Sequence, residues 1–164
     1  MEKGERIPGF TLPDQDGKMI SGSDFRGRWL VLYFYPRDNT SGCTKEAEDF
    51  SRLKEEFHGE DCEILGVSPD STESHRKFRE KKQLTVQLLS DPEKELMKTA
   101  GAWGMKKNYG REYEGVIRTT LLIDPDGIVA HSWRRVQVRR KTKTCEILHA
   151  ATVLNKLREL KSPG

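Results

Sequence analysis

Between Trp29 and Tyr35 the chain reads WLVLYFY, an unbroken apolar run of strand length closed by Pro36. A strand with one wet face would alternate, so a run that is apolar at every position belongs inside a sheet covered on both sides. From Cys43 onward, Ala47, Phe50, Leu53 and Phe57 recur at helical spacing among Lys and Glu until "HGED" ends the pattern, which predicts a surface helix. "CEILGVS", Cys62 to Ser68, is a second apolar run, and "PDSTESHRKFREKK" supplies a turn, cap residues and a polar helix. Strand, helix, strand, helix in this order is a parallel βαβ arrangement.

"LTVQLLSD" predicts a third strand, and "DPEKELMKTAG" a short helix with Pro92 in its first turn and Gly101 at its end. "VIRTTLLIDPDGIVAHSWRRVQV" reads as two antiparallel strands joined at Asp124-Pro125-Asp126-Gly127 by a type I turn. Ile147, Leu148, Ala151, Leu154 and Leu157 line one face of a C-terminal helix. The order βαβα then ββα is that of a thioredoxin-like α/β fold: a central mixed sheet flanked by helices, an αβα sandwich. A chain of 164 residues without repeat or linker is expected to form it as a single domain, residues 1–164.

Charged residues make up 34% of the chain and apolar residues 34%, which describes a folded unit with a charge-rich surface. The net charge of +3 arises from 29 basic and 26 acidic residues, so obligate nucleic-acid binding is not implied. "MEKGERIPGF" lacks a signal-peptide core and no run has membrane-spanning length, so a soluble cytoplasmic protein is expected. Cys43, Cys62 and Cys145 are odd in number and widely spaced, fitting neither a disulfide framework nor a zinc site, and read as reduced thiols. His58, His75, His131 and His149 share no metal-ligand spacing and read mostly as surface or cap residues.

Cys43 falls at the start of the first helix, where unpaired N–H groups favour an anion. Taken alone, such a cysteine is more often a buried spacer than a nucleophile. A thiol in an unstructured peptide titrates near about 8.5, and reactive thiols at helix N-termini beside cations near about 3.5–7.5. Reaching about 6 takes roughly 3.4 kcal/mol, of which a helix N-terminus supplies at most about 2, so a second cation or donor is required. Thr40 carries a hydroxyl able to donate to a thiolate or a bound oxygen, and Pro36 can exclude water on the apolar side.

The spacing Pro36, Thr40, Cys43, written P-x3-T-x2-C, resembles the active-site motif of peroxiredoxins. "YFYPRDNTSGCTKEAEDF" is most similar to their bacterioferritin comigratory protein, or peroxiredoxin Q, branch, and the likeness runs from about residue 5 to 138. An R-x-T segment, Arg118 to Thr120, before "LLIDPDG" is a second motif. Singly, Arg118 reads as a surface strand residue, Thr40 as a turn or cap and Pro36 as a strand terminator; their joint occurrence overturns those readings. The resemblance implies a thiol peroxidase that reduces hydrogen peroxide and small organic hydroperoxides, with Cys43 as peroxidatic nucleophile oxidised to a sulfenic acid. It implies that Thr40 and Arg118 hold the peroxide oxygens and the thiolate and that Pro36 shields the sulfur. It makes Arg118, on the first strand of the hairpin, the required cation. Electrons would come from thioredoxin or another thiol, with no metal, haem or flavin.

Where many members of this branch carry a resolving cysteine, five residues after the first, this chain has Glu48, and "SHRKFREKK" contains none. Cys62, at the start of a buried strand, reads as structural. Cys145 lies in "RRKTKTCEIL", extra sequence relative to the family and expected to be exposed and mobile. A Cys43–Cys145 disulfide would need Cα atoms within about 7 Å, so the favoured cycle uses one cysteine and an external thiol, with Cys145 as the alternative resolving group. Ser41 replaces the usual proline and removes no catalytic group. The long C-terminal arm that some peroxiredoxins exchange between subunits has no counterpart in this sequence, so the resemblance implies a monomer or weak homodimer.

A dithiol oxidoreductase would need C-x-x-C, and Cys43 is followed by Thr44, Lys45 and Glu46; a redox-sensing binding or chaperone protein is the other competing class. The basic stretch Arg134 to Lys143 offers a phosphate-binding stripe, but reads better as a solvated edge strand and loop. Trp103, between Gly101 and Gly104, reads as an aromatic plug beside a flexible loop.

Overall fold

The computed structural model describes residues 1–162, the side chain of Asn108 excepted. Its strands are β1 Thr11–Pro13, β2 Met19–Ser21, β3 Trp29–Phe34, β4 Cys62–Ser68, β5 Gln87–Ser90, β6 Trp103–Asn108, β7 Arg111–Val116, β8 Thr119–Ile123, β9 Val129–Arg134, β10 Arg139–Lys141 and β11 Glu146–Leu148. The helices are α1 Ser41–Gly59, α2 Thr72–Lys82, α3 Glu95–Thr99 and α4 His149–Lys161. The main sheet has the order β5-β4-β3-β8-β9. β3, β4 and β5 run parallel, and β8 and β9 complete the sheet antiparallel.

β3 is the middle strand, as its uninterrupted apolar run requires. Val31, Tyr33 and the following Tyr35 face a core shared with Ala47, Phe50 and Phe57 of α1, Phe78 of α2 and Val153, Leu154 and Leu157 of α4. Leu30, Leu32 and Phe34 face the opposite core, closed by Leu96 and Met97 of α3 and by Ile7, Ile20 and Phe25. The period-two alternation of β3 thus feeds two separate hydrophobic layers. α2 begins with Ser71 accepting from the Ser74 N–H at 3.1 Å, a cap that its sequence advertises.

Several expectations change. Lys94, at φ 61°, precedes α3, so Pro92 lies in a turn outside that helix, and Asp91 accepts the Met97 N–H at 3.0 Å. Trp103 does not border an open loop: it starts the β6–β7 hairpin, whose turn places Tyr109 and Gly110 at φ 52° and 78°. The Trp103 ring is flanked by the Lys94 and Lys98 ammonium groups, 5.3 and 5.4 Å from its centroid. Ile147 and Leu148 belong to β11, and the buried face of α4 is Ala150, Val153, Leu154 and Leu157 rather than one that includes Ala151. The extra segment around Cys145 forms a hairpin, β10–β11. Its Arg139 forms a two-pronged ion pair with buried Asp49 of α1 at 2.7 and 3.0 Å, so that part of the basic stretch is structural rather than merely solvated. No helix among the described residues is long and apolar enough to cross a membrane.

Candidate active site

β3 delivers the chain to one end of the sheet, where the Tyr35 N–H still donates to the Val67 carbonyl at 3.0 Å. The segment 36–40 then turns, with Asn39 at φ 64°, and Thr40 becomes the residue that caps α1. Cys43 lies in the first turn of this 19-residue helix with only 1% of its surface exposed. Unpaired N–H groups at that end place partial positive charge near the sulfur.

Arg118 reaches the same sulfur from across the sheet. Its Nη2 donates to Cys43 Sγ at 3.1 Å and its Nη1 to Glu46 Oε1 at 2.6 Å. Arg118 stands immediately before β8 rather than on it, and its carbonyl accepts from the Val136 N–H at 3.0 Å. The guanidinium passes close to the helix start, where a Cβ on Gly42 would be in ordinary contact with Nη2 at 3.4 Å. Burial works against the charge on Arg118, but Glu46 and Cys43 more than offset it, so its pKa is raised and the cation persists.

Glu46, 1% exposed, escaped the sequence reading. Burial pushes its carboxyl up to about 7, with Arg118 pulling in the opposite direction. Its other oxygen, Oε2, has no partner among the described residues, and neither does the hydroxyl of fully buried Tyr33. The Tyr33 phenol is held well above its usual range by burial first and by the charges of Glu46 and Cys43 next, so it stays neutral beside the site. The signal for Glu46 was available: a carboxylate shares the buried helical face of Cys43, Ala47 and Phe50.

Other expected residues stand differently. Thr40 is exposed, and its hydroxyl donates to the Arg37 carbonyl at 3.1 Å instead of to the sulfur. Pro36 follows Tyr35 and is partly buried. Cys62 is buried and its thiol is pushed up to about 12 by burial, with Glu63 adding to the effect, which suits an inert core group. Cys145 is exposed in the turn between β10 and β11, beside the Thr142 hydroxyl. His58 and His131 lie near the surface, whereas His75 and His149 are buried, against the expectation for most of the four. Asp38, also buried and also missed, gathers Tyr35, Ser74 and His75 around its carboxylate.

A cysteine in the first turn of a helix, met by an arginine beside a thioredoxin-like sheet and not followed by the second cysteine of C-x-x-C, is the arrangement of a thiol protein of this fold other than a C-x-x-C dithiol exchanger. The chain belongs to the AhpC/TSA family, whose profile matches residues 3–132, and within it to the Bcp/peroxiredoxin Q group. Peroxiredoxin Bcp of Bacillus subtilis is 42% identical over 160 residues, covering 98% of this chain and 97% of that one. Peroxiredoxin Bcp of Escherichia coli is 37% identical over 131 residues, covering 80% and 84%. Among solved structures, a cysteine-to-serine variant of Xylella fastidiosa PrxQ superposes with a TM-score of 0.89 at 34% identity, covering 99% and 98%. The Xanthomonas campestris bacterioferritin comigratory protein, described for its alkyl peroxide reduction activity, superposes with a TM-score of 0.83 at 34% identity, covering 93% and 92%.

Proposed function

We propose that this chain is a thiol-dependent peroxidase that reduces hydrogen peroxide and small organic hydroperoxides through a Cys43 sulfenic acid. The observation that carries the reading is the fork of Arg118, one arm on Cys43 Sγ and the other on Glu46. The thiolate attacks one peroxide oxygen, an S–O bond forms as the O–O bond breaks, and the departing oxygen takes a proton and leaves as water or an alcohol. Charge grows on that oxygen during the step, and the fixed guanidinium stabilises it without reorganising. Thr40 and Pro36 are assigned to the peroxide side of the site, Thr40 as a donor to the bound oxygen and Pro36 as a shield against water. For Thr40 this requires its hydroxyl to exchange the Arg37 carbonyl for substrate.

The sulfenic acid is returned to the thiol by thioredoxin or another external thiol: the first sulfhydryl forms a mixed disulfide and releases water, and the second releases Cys43. Cys62 is not assigned a part, because it pairs with Trp29 at the far end of β3 from Cys43 and burial pushes its thiol up to about 12; Glu48 occupies the nearest helical position. Cys145 is the alternative resolving group, favoured by its exposure and by the Arg139–Asp49 pair that fastens its hairpin to α1. Residues 1–164 are taken to act as one domain, a monomer or weak homodimer in the cytoplasm.

Peroxide consumption coupled to thiol oxidation tests the assignment. Cys43→Ser abolishes turnover; full retained activity removes the reading, and sub-stoichiometric turnover in the parent protein favours a sensor instead. Mass analysis after one equivalent of peroxide separates the two cycles, because an intramolecular Cys43–Cys145 crosslink would exclude the one-cysteine form.

A further inference from the structure

His75 is a completely buried titratable side chain away from the Arg118 fork. It lies on α2 with none of its surface exposed. Its Nε2 faces the Leu89 carbonyl on β5 at 2.9 Å, and its Nδ1 faces Asp38 Oδ2 at 2.7 Å. A carbonyl can only accept, so Nε2 carries a hydrogen. Asp38 takes the Tyr35 O–H on Oδ1 at 2.6 Å and the Ser74 O–H on Oδ2 at 2.8 Å, and one proton joins its Oδ2 to Nδ1. The ring is therefore bonded at both nitrogens, to β5 through Nε2 and to Asp38 through Nδ1.

A second layer extends the network. The Asp38 N–H donates to Asp70 Oδ2 at 2.7 Å, and the Ser68 hydroxyl donates to the same oxygen at 2.8 Å. The contacting oxygens of Asp38 and Asp70 are thus already engaged in hydrogen bonds, as is Nδ1, so the three side chains form a hydrogen-bonded clamp rather than a convergent ligand set. Asp38 sits in the short turn that leads from β3 through Thr40 to Cys43. The clamp ties that turn to α2 through Ser74 and His75, to β4 through Asp70 and Ser68, and to β5 through Leu89.

We propose that His75 is a positioning residue for the peroxide step: through Asp38 it holds the 36–40 turn, and with it Thr40 and the first turn of α1, in one place against β5. The proposal rests on the peroxidase reading and deepens it. Arg118 locates the sulfur from the β8 side, and the His75–Asp38 pair fixes the opposite wall. Breaking a buried hydrogen-bonded pair leaves an unsatisfied polar group that the turn would relieve by moving, and a misplacement of about 1 Å can slow a reaction by about 100-fold.

Two substitutions separate positioning from packing, because each keeps one of the two bonds. In His75→Asn the amide N–H takes the place of Nδ1–H and still reaches Asp38; in His75→Gln it takes the place of Nε2–H and reaches only the Leu89 carbonyl. Both are measured in the full chain by the rate constant for oxidation by hydrogen peroxide, by the rate of the thiol-reduction half-reaction, and by amide exchange over residues 36–44. The expected result is that His75→Asn stays within about threefold of the parent rate, while His75→Gln loses at least about tenfold in the peroxide step alone. Amide exchange over 36–44 rises in the Gln variant only. Equal behaviour of the two variants, or a Gln variant with parental rate and exchange, overturns the proposal and leaves His75 a packing residue. A parent protein that consumes no peroxide would overturn the peroxidase reading, and the exchange pattern would still decide whether the clamp holds the turn.

Discussion

The guanidinium of Arg118 meets the sulfur of Cys43 at 3.1 Å although 75 positions separate the two residues along the chain. β3 carries the chain to Cys43 and β8, paired antiparallel to β3, begins directly after Arg118, so both residues arrive at the same end of the sheet. Arg118→Ala is expected to lower the peroxide rate constant by about 100- to 1000-fold, the usual loss when one fixed donor to a developing charge is removed. Arg118→Lys does not restore it, since an ammonium cannot span Cys43 and Glu46 in one plane. Stopped-flow oxidation of the thiol reads both.

Glu46 gives a stability signature. Its native pKa of about 7 stands above its ordinary value near 4.5, so between those limits the folded chain holds a proton that the unfolded chain has released. Stability from this group is complete below about 4.5 and is lost as pH rises through about 7. Glu46→Gln removes this drift, so the variant gains on the parent protein as pH rises across that window. Urea unfolding of both chains at pH 5, 6, 7 and 8 checks the sign.

His149 works in the opposite direction. Its ring is buried against Trp133 and bonded to the Thr120 hydroxyl at 2.8 Å. Burial first, and the charge of Arg118 second, push it down to about 4. Below about 6.5 the unfolded chain takes up a proton that the native chain refuses, so stability falls as pH drops toward about 4. His149→Gln flattens this acid limb, and the difference between the variant and the parent approaches about 3 kcal/mol at its lower end, at about 1.4 kcal/mol per tenfold change in proton affinity. The same unfolding series, extended to pH 4, reads it.

Arg139→Ala strands the Asp49 carboxylate, which is 1% exposed and, among the described residues, otherwise has only Arg52 at 3.8 Å. A loss of about 3 kcal/mol is expected, with the β10–β11 hairpin released from α1. Adding Asp49→Asn to the same chain recovers part of the loss; additive effects in that double-mutant cycle would count against the pair.

Cys145→Ser leaves turnover with an external thiol within about twofold of the parent chain if one cysteine completes the cycle. One added oxygen on Cys43 is then the product seen by mass analysis after a single equivalent of peroxide. Loss of turnover in this variant would instead assign the resolving step to the hairpin.

Much of this architecture was legible before any coordinates. β3, β4, α1 and α2 announce themselves because a strand buried on both faces must be apolar throughout and a surface helix must be apolar on one stripe. The β6–β7 hairpin was not legible, since Lys106, Lys107, Glu112 and Glu114 leave it no continuous apolar face and its pairing is local. The start of α3 was misplaced because Lys94 adopts a positive φ that its residue type does not advertise. At the site, Cys43 and Arg118 were found through motif resemblance. Glu46 and the His75–Asp38 pair were passed over because a buried charge looks like a surface charge until its partner is known.

The order of apolar runs, helix stripes and turn residues by itself determined a mixed α/β sheet with Cys43 at a helix start, because burial and backbone geometry restrict residue types locally. Which groups share a hydrogen bond was decided only by the tertiary structure. Arg118 reaches Cys43 through the pairing of β8 with β3, Arg139 reaches Asp49 through the packing of a hairpin on α1, and His75 reaches Asp38 through the packing of α2. Those contacts join residues far apart in the chain, and no local preference encodes the energy of desolvating and pairing two charges.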